Sequence, residues 1–376
     1  MVNIFNISPY IYAQVYYWTA FIICLIMFLR YSSSENNRLL LQQNSFVSAL
    51  LLSVVAILFL GLRPVHFMFG DMVTYAKGYK YYSMLGNVVD AKGEWMFAWL
   101  QQVCINLGLS VNSFFLVCSI GYIGFQYWAC RKLLWENSWL AMLFILSAFE
   151  FYVFAVNGVR NGLACAILMF AMSVAINANK KYLDLLLAAG LAYIAFGIHK
   201  STAIPSACAI AALYFIKNPK HALYIWVLAI PLSLVVGNLF INMFIGMVDD
   251  GRSSAYAAGV SFDEAHFSRS GFRWDFLLYS SVPVALIYYA TQKKGINDIV
   301  FNFIANTYLL ANSFWILVIQ ANFSNRFAYL SWFMYPLVLA YALIRLHIWE
   351  DQDRRIGLYL LAHAGFTLVM FLLGKL

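Results

Sequence analysis

The sequence predicts an all-α protein threaded repeatedly through a lipid bilayer, and three observations carry that reading. First, 63% of the 376 residues are apolar and only 11% are charged, with a mean hydropathy of +0.75; a soluble domain carries about 25% charged residues. Second, apolar runs of about 17–25 residues, the length that crosses a hydrocarbon core of about 30 Å, recur along the whole chain. Third, the ten-residue alternation that a membrane barrel requires is missing. A backbone in lipid must pair its own polar groups, so each run is expected to be a helix.

Taken in chain order, helices are expected over 12–29, 45–62, 111–129, 138–155, 161–178, 182–198, 201–216, 222–244, 274–291, 299–319, 326–345 and 356–373. That makes about twelve spans, read as one transmembrane domain over residues 1–376. The first run ends at Arg30, with no basic stretch before it and no small-residue cleavage site after it, so it reads as a retained helix and not a signal peptide. Segment 94–108 is too short and mixed to span, and reads as an interfacial or re-entrant helix. With the Tyr-rich stretch 63–93 it forms an outer loop region over 63–110, and a second outer loop covers 245–273. Loops of that length in a compact protein are usually functional or disordered. Basic doublets such as Arg131-Lys132, Lys180-Lys181, Lys293-Lys294 and Arg354-Arg355 fall in alternate short loops, which places those loops in the cytoplasm and both termini outside.

Several classes of function drop out. The six cysteines sit mostly inside apolar runs and form no CxxC pair, so they read as small hydrophobes. The net charge of +8 is scattered between spans and forms no basic stripe, which excludes nucleic acid. Asp263-Glu264-Ala265-His266 has the letters of a helicase box, but the chain has no phosphate-binding GxxxxGK[ST]. With Asp249 and Asp250 it does not have metal-ligand spacing, so neither a metal nor a cofactor is expected.

The informative residues are cations placed where a helix does not favour them. In the expected topology the helices beginning near 161, 201, 274 and 326 all start at the outer face, each with a cation: Arg160, Lys200 beside His199, Arg273 and Arg326. A helix start carries about half a positive charge, so a cation there is unfavourable by roughly 0.3–1 kcal/mol. An anion held among such starts would reverse the sign, because helix N-termini and basic side chains together bind anions. Arg suits phosphate because its planar fork donates two hydrogen bonds at once. The alternative for each cation is snorkelling to lipid headgroups. Asn157, Arg160 and Asn161 fall on one helical face, and Tyr329 lies three residues beyond Arg326. Glu150, an acid inside the fourth span, reads as a partner that orients Arg160. Asp71, which shares a helical face with Tyr75 if that stretch is helical, and Glu94 bracket the first outer loop. Each reads as a general base or as a solvated loop carboxylate. His199 stands at a break between two short spans and is the third candidate base.

The order of these elements resembles the EpsG-like and Wzy-type polysaccharide polymerases. The resemblance rests on Gly70-Asp71 with Tyr75, then Glu94, then Asn157-Gly158-Val159-Arg160-Asn161-Gly162, His199-Lys200-Ser201, and Asn325-Arg326 with Tyr329. It covers roughly residues 60–335; the family commonly has Arg-Gln where Arg160-Asn161 stands here. The resemblance implies a GT-C-like glycosyltransferase in the bacterial plasma membrane, active on the periplasmic or extracellular face. Its donor and acceptor would both be undecaprenyl-pyrophosphate-linked oligosaccharides, with a chain-length regulator protein as a further partner. On that footing Arg160 and Arg326, helped by Lys200, Arg273 and Arg63, are expected to hold the donor pyrophosphate in place of a metal. His199, Asp71 or Glu94 would take the acceptor proton. Two other classes remain: a flippase or exporter of lipid-linked sugars, and a membrane acyltransferase acting on surface glycans. The polar residues gather at one face and no half-to-half similarity is evident, which favours surface chemistry over passage.

Overall fold

Every regular element among the described residues is a helix, as a backbone surrounded by lipid requires. The structure is a computed structural model and describes residues 5–33, 45–89, 93–177, 181–245, 271–321 and 324–374. In chain order the helices are α1 (Tyr12–Ser33), α2 (Ser45–Gly61), α3 (Met72–Leu85), α4 (Trp95–Asn106), α5 (Val111–Leu134), α6 (Ser138–Leu146), α7 (Phe151–Val156) and α8 (Val159–Ile176). They continue with α9 (Lys181–Ile198), α10 (Ala203–Tyr214), α11 (Pro219–Ile245), α12 (Trp274–Tyr288), α13 (Ile299–Leu317), α14 (Ser324–Trp332), α15 (Tyr335–Arg345) and α16 (Gln352–Leu372).

Each apolar run carries a helix, but among the described residues fewer than about twelve are by themselves long and apolar enough to span. Among the described residues seven stretches are long and apolar enough to cross a membrane: 12–32, 111–146, 159–176, 219–243, 299–317, 324–345 and 352–372. Helical stretches 47–61 and 182–198 are apolar but shorter. The difference arises because hydropathy reports apolar content and not helix continuity. The run at 138–155 breaks between α6 and α7, the run at 201–216 yields only the 12 residues of α10, and the run at 274–291 closes in a π-turn over Tyr289–Lys293. The stretch read as an outer loop also differs, since the 14 residues of α3 lie within 63–93. Met72, Ala76 and Tyr79 are its buried face, at the spacing of successive helical turns, and interleaved Tyr and Lys hide that period. The second outer loop lies almost wholly outside the described residues, and with it Asp249, Asp250, Arg252, Asp263, Glu264, His266 and Arg269.

The chain divides into two compact units, residues 1–199 with 343–376, and residues 200–342. In the first, α1 packs on α16, α2 on α5 and α6, α5 on α8, and α8 on α9. The break after α6 leaves carbonyls that lipid cannot satisfy, and side chains supply the donors. His363 Nε2 lies 3.0 Å from the Phe144 carbonyl, Thr367 donates to Ser147 O at 2.8 Å, and Tyr16 donates to Leu146 O at 2.6 Å. His363 and Thr367 stand four residues apart, on one face of α16. In the second unit α13 packs against α10 and α11. Polar pairs hold it together in an apolar interior: Trp226 to Asn312 at 2.7 Å, Asn312 to Ser331 at 2.9 Å, and Trp332 to Ser280 at 2.7 Å. Gln320 donates to Ser233 O at 2.9 Å, just before the non-helical Val236 that kinks α11.

Candidate active site

Four helix ends of the first unit bring polar side chains together. Glu94 is the residue before α4, but its carboxylate does not cap that helix. One oxygen, Oε2, is ion-paired with Arg160 Nη1 at the start of α8, and Oε1 lies 2.7 Å from His199 Nδ1 at the end of α9. Arg160 Nε donates to the Tyr75 hydroxyl at 2.9 Å, one turn into α3. The guanidinium also lies near the rings of Tyr75 and Phe97, 5.6 and 5.9 Å from their centroids. Glu94 is 8% exposed, whereas the side chains of Arg160 and His199 keep 23% and 25% of their surface, so the cluster opens on the side of those two. Burial raises the Tyr75 hydroxyl pKa, opposed by Arg160, so Tyr75 is a neutral phenol.

Two glycines make the assembly possible. Gly70 has φ +61°, and a Cβ there would lie 2.4 Å from Asn157 Oδ1. That close approach lets the Asp71 N–H donate to Asn157 Oδ1 at 2.8 Å and ties the start of α3 to the corner before α8. At Gly197 a Cβ would come within 2.6 Å of the Trp95 ring, so only glycine lets α9 lie against the residue that follows Glu94. Trp95 also meets Tyr193, with ring centroids 5.3 Å apart.

The structure therefore gathers Tyr75, Glu94, Asn157, Arg160 and His199, with Asp71 at the edge through its backbone. The acid that meets Arg160 is Glu94 and not Glu150; Glu150 is buried elsewhere, with Tyr17 among its electrostatic neighbours. Asn161 turns along its own helix, accepting from Cys165 Sγ at 3.3 Å. Arg63 is 1% exposed and donates to the carbonyls of Leu60 and Val156, so its guanidinium faces backbone and not an open anion site. Burial lowers its pKa to about 10, which leaves it charged at neutral pH.

The remaining candidates belong to the second unit. Lys200 is exposed on a short 3-10 turn, and Arg326 and buried Tyr329 lie on α14. Arg273 precedes α12, as expected, but is held by Asp275 at 2.9 and 2.8 Å and covers Phe276 at 3.5 Å. A local acid thus offsets its unfavourable position. Sequence reasoning alone does not single out Trp95, Phe97 and Gly197; a glycine two residues before His199 and an aromatic directly after Glu94 are the signals that could have found them.

Chemically the cluster is a carboxylate–histidine pair with an arginine on the carboxylate. Glu94 accepting from Nδ1–H fixes the ring orientation and leaves Nε2 as the basic nitrogen. Arg160 favours the ionised carboxylate, and an imidazolium formed at His199 would be stabilised by it. Arg160 Nη2 has no hydrogen bond among the described residues, which leaves one face of the guanidinium for an anion. Neither a curated protein nor a solved structure matches the chain. The EpsG family model matches residues 46–374, a span that contains every residue of this cluster, and the chain belongs to the EpsG family.

Proposed function

We propose that the protein is a membrane glycosyltransferase that polymerises undecaprenyl-pyrophosphate-linked oligosaccharide repeat units on the periplasmic or extracellular face. The observation that carries this reading is the Glu94–His199 pair braced by Arg160, at helix ends and not at mid-span. In the proposed step the acceptor sugar hydroxyl attacks the anomeric carbon of the donor. Its proton passes to His199 Nε2, the bond from the anomeric carbon to the phosphate oxygen breaks, and the lipid pyrophosphate leaves with the electron pair. Glu94 acts as a positioning residue that stabilises the imidazolium, a narrower role than the base it was expected to share with Asp71 and His199. Arg160 offers Nη2 to a phosphate oxygen, where charge develops as the leaving group departs. Arg326 stays in the proposal as a second phosphate cation on the strength of its place in the first turn of α14.

The test is reconstitution of purified protein with lipid-linked repeat units. A ladder of longer glycans supports the polymerase. Movement of the lipid between leaflets without a ladder would favour a flippase, and transfer of acyl groups to the glycan would favour an acyltransferase. Arg326→Ala is expected to stop chain growth at an unchanged protein level, and a normal ladder from it would remove Arg326 from the proposal.

A further inference from the structure

We infer that Arg63 is a positioning residue for this site, clamping the end of α2 to the corner between α7 and α8 that presents Asn157 and Arg160. Arg63 stands two residues beyond α2 and is buried. Nη1 donates to Leu60 O at the end of its own helix, and Nη2 donates to Val156 O at 3.3 Å. Val156 ends α7; the next residue, Asn157, accepts the Asp71 N–H, and Arg160 follows within one turn. On its aromatic sides the guanidinium lies 5.8 Å from the Phe69 ring centroid and 5.3 Å from that of Phe115. Phe69 immediately precedes Gly70, so one guanidinium touches both segments that the Asp71–Asn157 bond joins.

Packing alone does not account for this residue. No carboxylate is paired with Arg63 among the described residues, and its Nε is buried without a hydrogen-bond partner there. A buried charge in that state is unfavourable, and apolar side chains of similar volume commonly fill such a slot without loss of stability. A planar cation that reaches two carbonyls and slides between two rings does what neither a hydrophobe nor Lys can do. What it fixes is the distance between the Gly70–Asp71 turn and the Asn157–Arg160 turn.

The inference rests on the polymerase reading for its kinetic assay but has a second readout that does not. In purified protein supplied with lipid-linked repeat units, Arg63→Lys and Arg63→Met are expected to lower kcat by about ten- to a hundredfold, as small misplacements of catalytic groups do. In an Asn157→Ala background, Arg63→Lys should add less than about threefold, because coupled residues are not additive. A wild-type rate, or losses that multiply independently, overturns the inference. If the Arg63 variants do not accumulate, Phe115→Leu keeps the arginine and removes one ring; it should slow the reaction about threefold and do so only when Asn157 is present. An unchanged rate in Phe115→Leu overturns the inference equally. Diethyl pyrocarbonate modification of His199, followed by mass spectrometry without substrate, should run a few-fold faster in Arg63→Lys (or Phe115→Leu) as the hold on Glu94 loosens. That acceleration in a protein whose wild type builds no ladder counts against the polymerase alone, and an unchanged modification rate counts against Arg63.

Discussion

Glu94 divides its two oxygens between a base and a cation, so each neighbour has a distinguishable failure. His199→Ala removes the proton acceptor and should lower chain growth by about 10²–10⁴-fold, the usual worth of a positioned general base. Glu94→Gln keeps the shape but removes the charge that holds Nδ1–H and Arg160; the rate should fall comparably, with little change in protein level. Arg160→Lys tests geometry and not charge, because a single ammonium cannot bind Glu94 and Tyr75 and still turn a flat face outward. It should behave nearly as badly as Arg160→Ala, and a Lys variant with wild-type kinetics would show that charge alone suffices. These residues were legible one at a time, because acids, a histidine and arginines are conspicuous in a chain with so few charges. Their pairing was not. Glu94 and Arg160 are 66 residues apart, and only the packing of α4 against α9 and of α8 against α9 brings Glu94 to both partners.

At the scale of elements, the fold depends on donors that satisfy broken helices and on turns that admit no side chain. Gly70→Ala places a Cβ at positive φ, unfavourable by about 1–2 kcal/mol, and drives it into Asn157. Chain growth should fall sharply while the melting midpoint in detergent falls only modestly. The reverse pattern is expected at His363→Ala and Thr367→Val, which strip the donors from the carbonyls of Phe144 and Ser147. Each should destabilise by about 1–3 kcal/mol in thermal unfolding, with activity kept at low temperature. Apolar length announced where helices lie, because lipid enforces helicity on any apolar run. It said nothing of the break between α6 and α7, which depends on donors 219 and 220 residues away in α16. Helix α3 was hidden for the opposite reason. Its buried face is narrow, and its exposed tyrosines and lysines read as loop.

Across the whole molecule, apolar length predicted a helical membrane protein and the polar motifs suggested the EpsG-like family, and the family match over residues 46–374 bears out that family. The division into two units at His199 and Lys200 was not visible, because the division falls between adjacent residues of one motif and no linker composition marks it. The first unit holds the braced histidine, so variants in that unit test the proposed proton acceptor. The most direct measurement compares wild-type protein and His199→Ala, each reconstituted with the same lipid-linked repeat units and resolved by glycan length. A ladder from the wild type beside unextended single repeats from His199→Ala is the result this account predicts. Ladders of equal length and rate from the two proteins would contradict it.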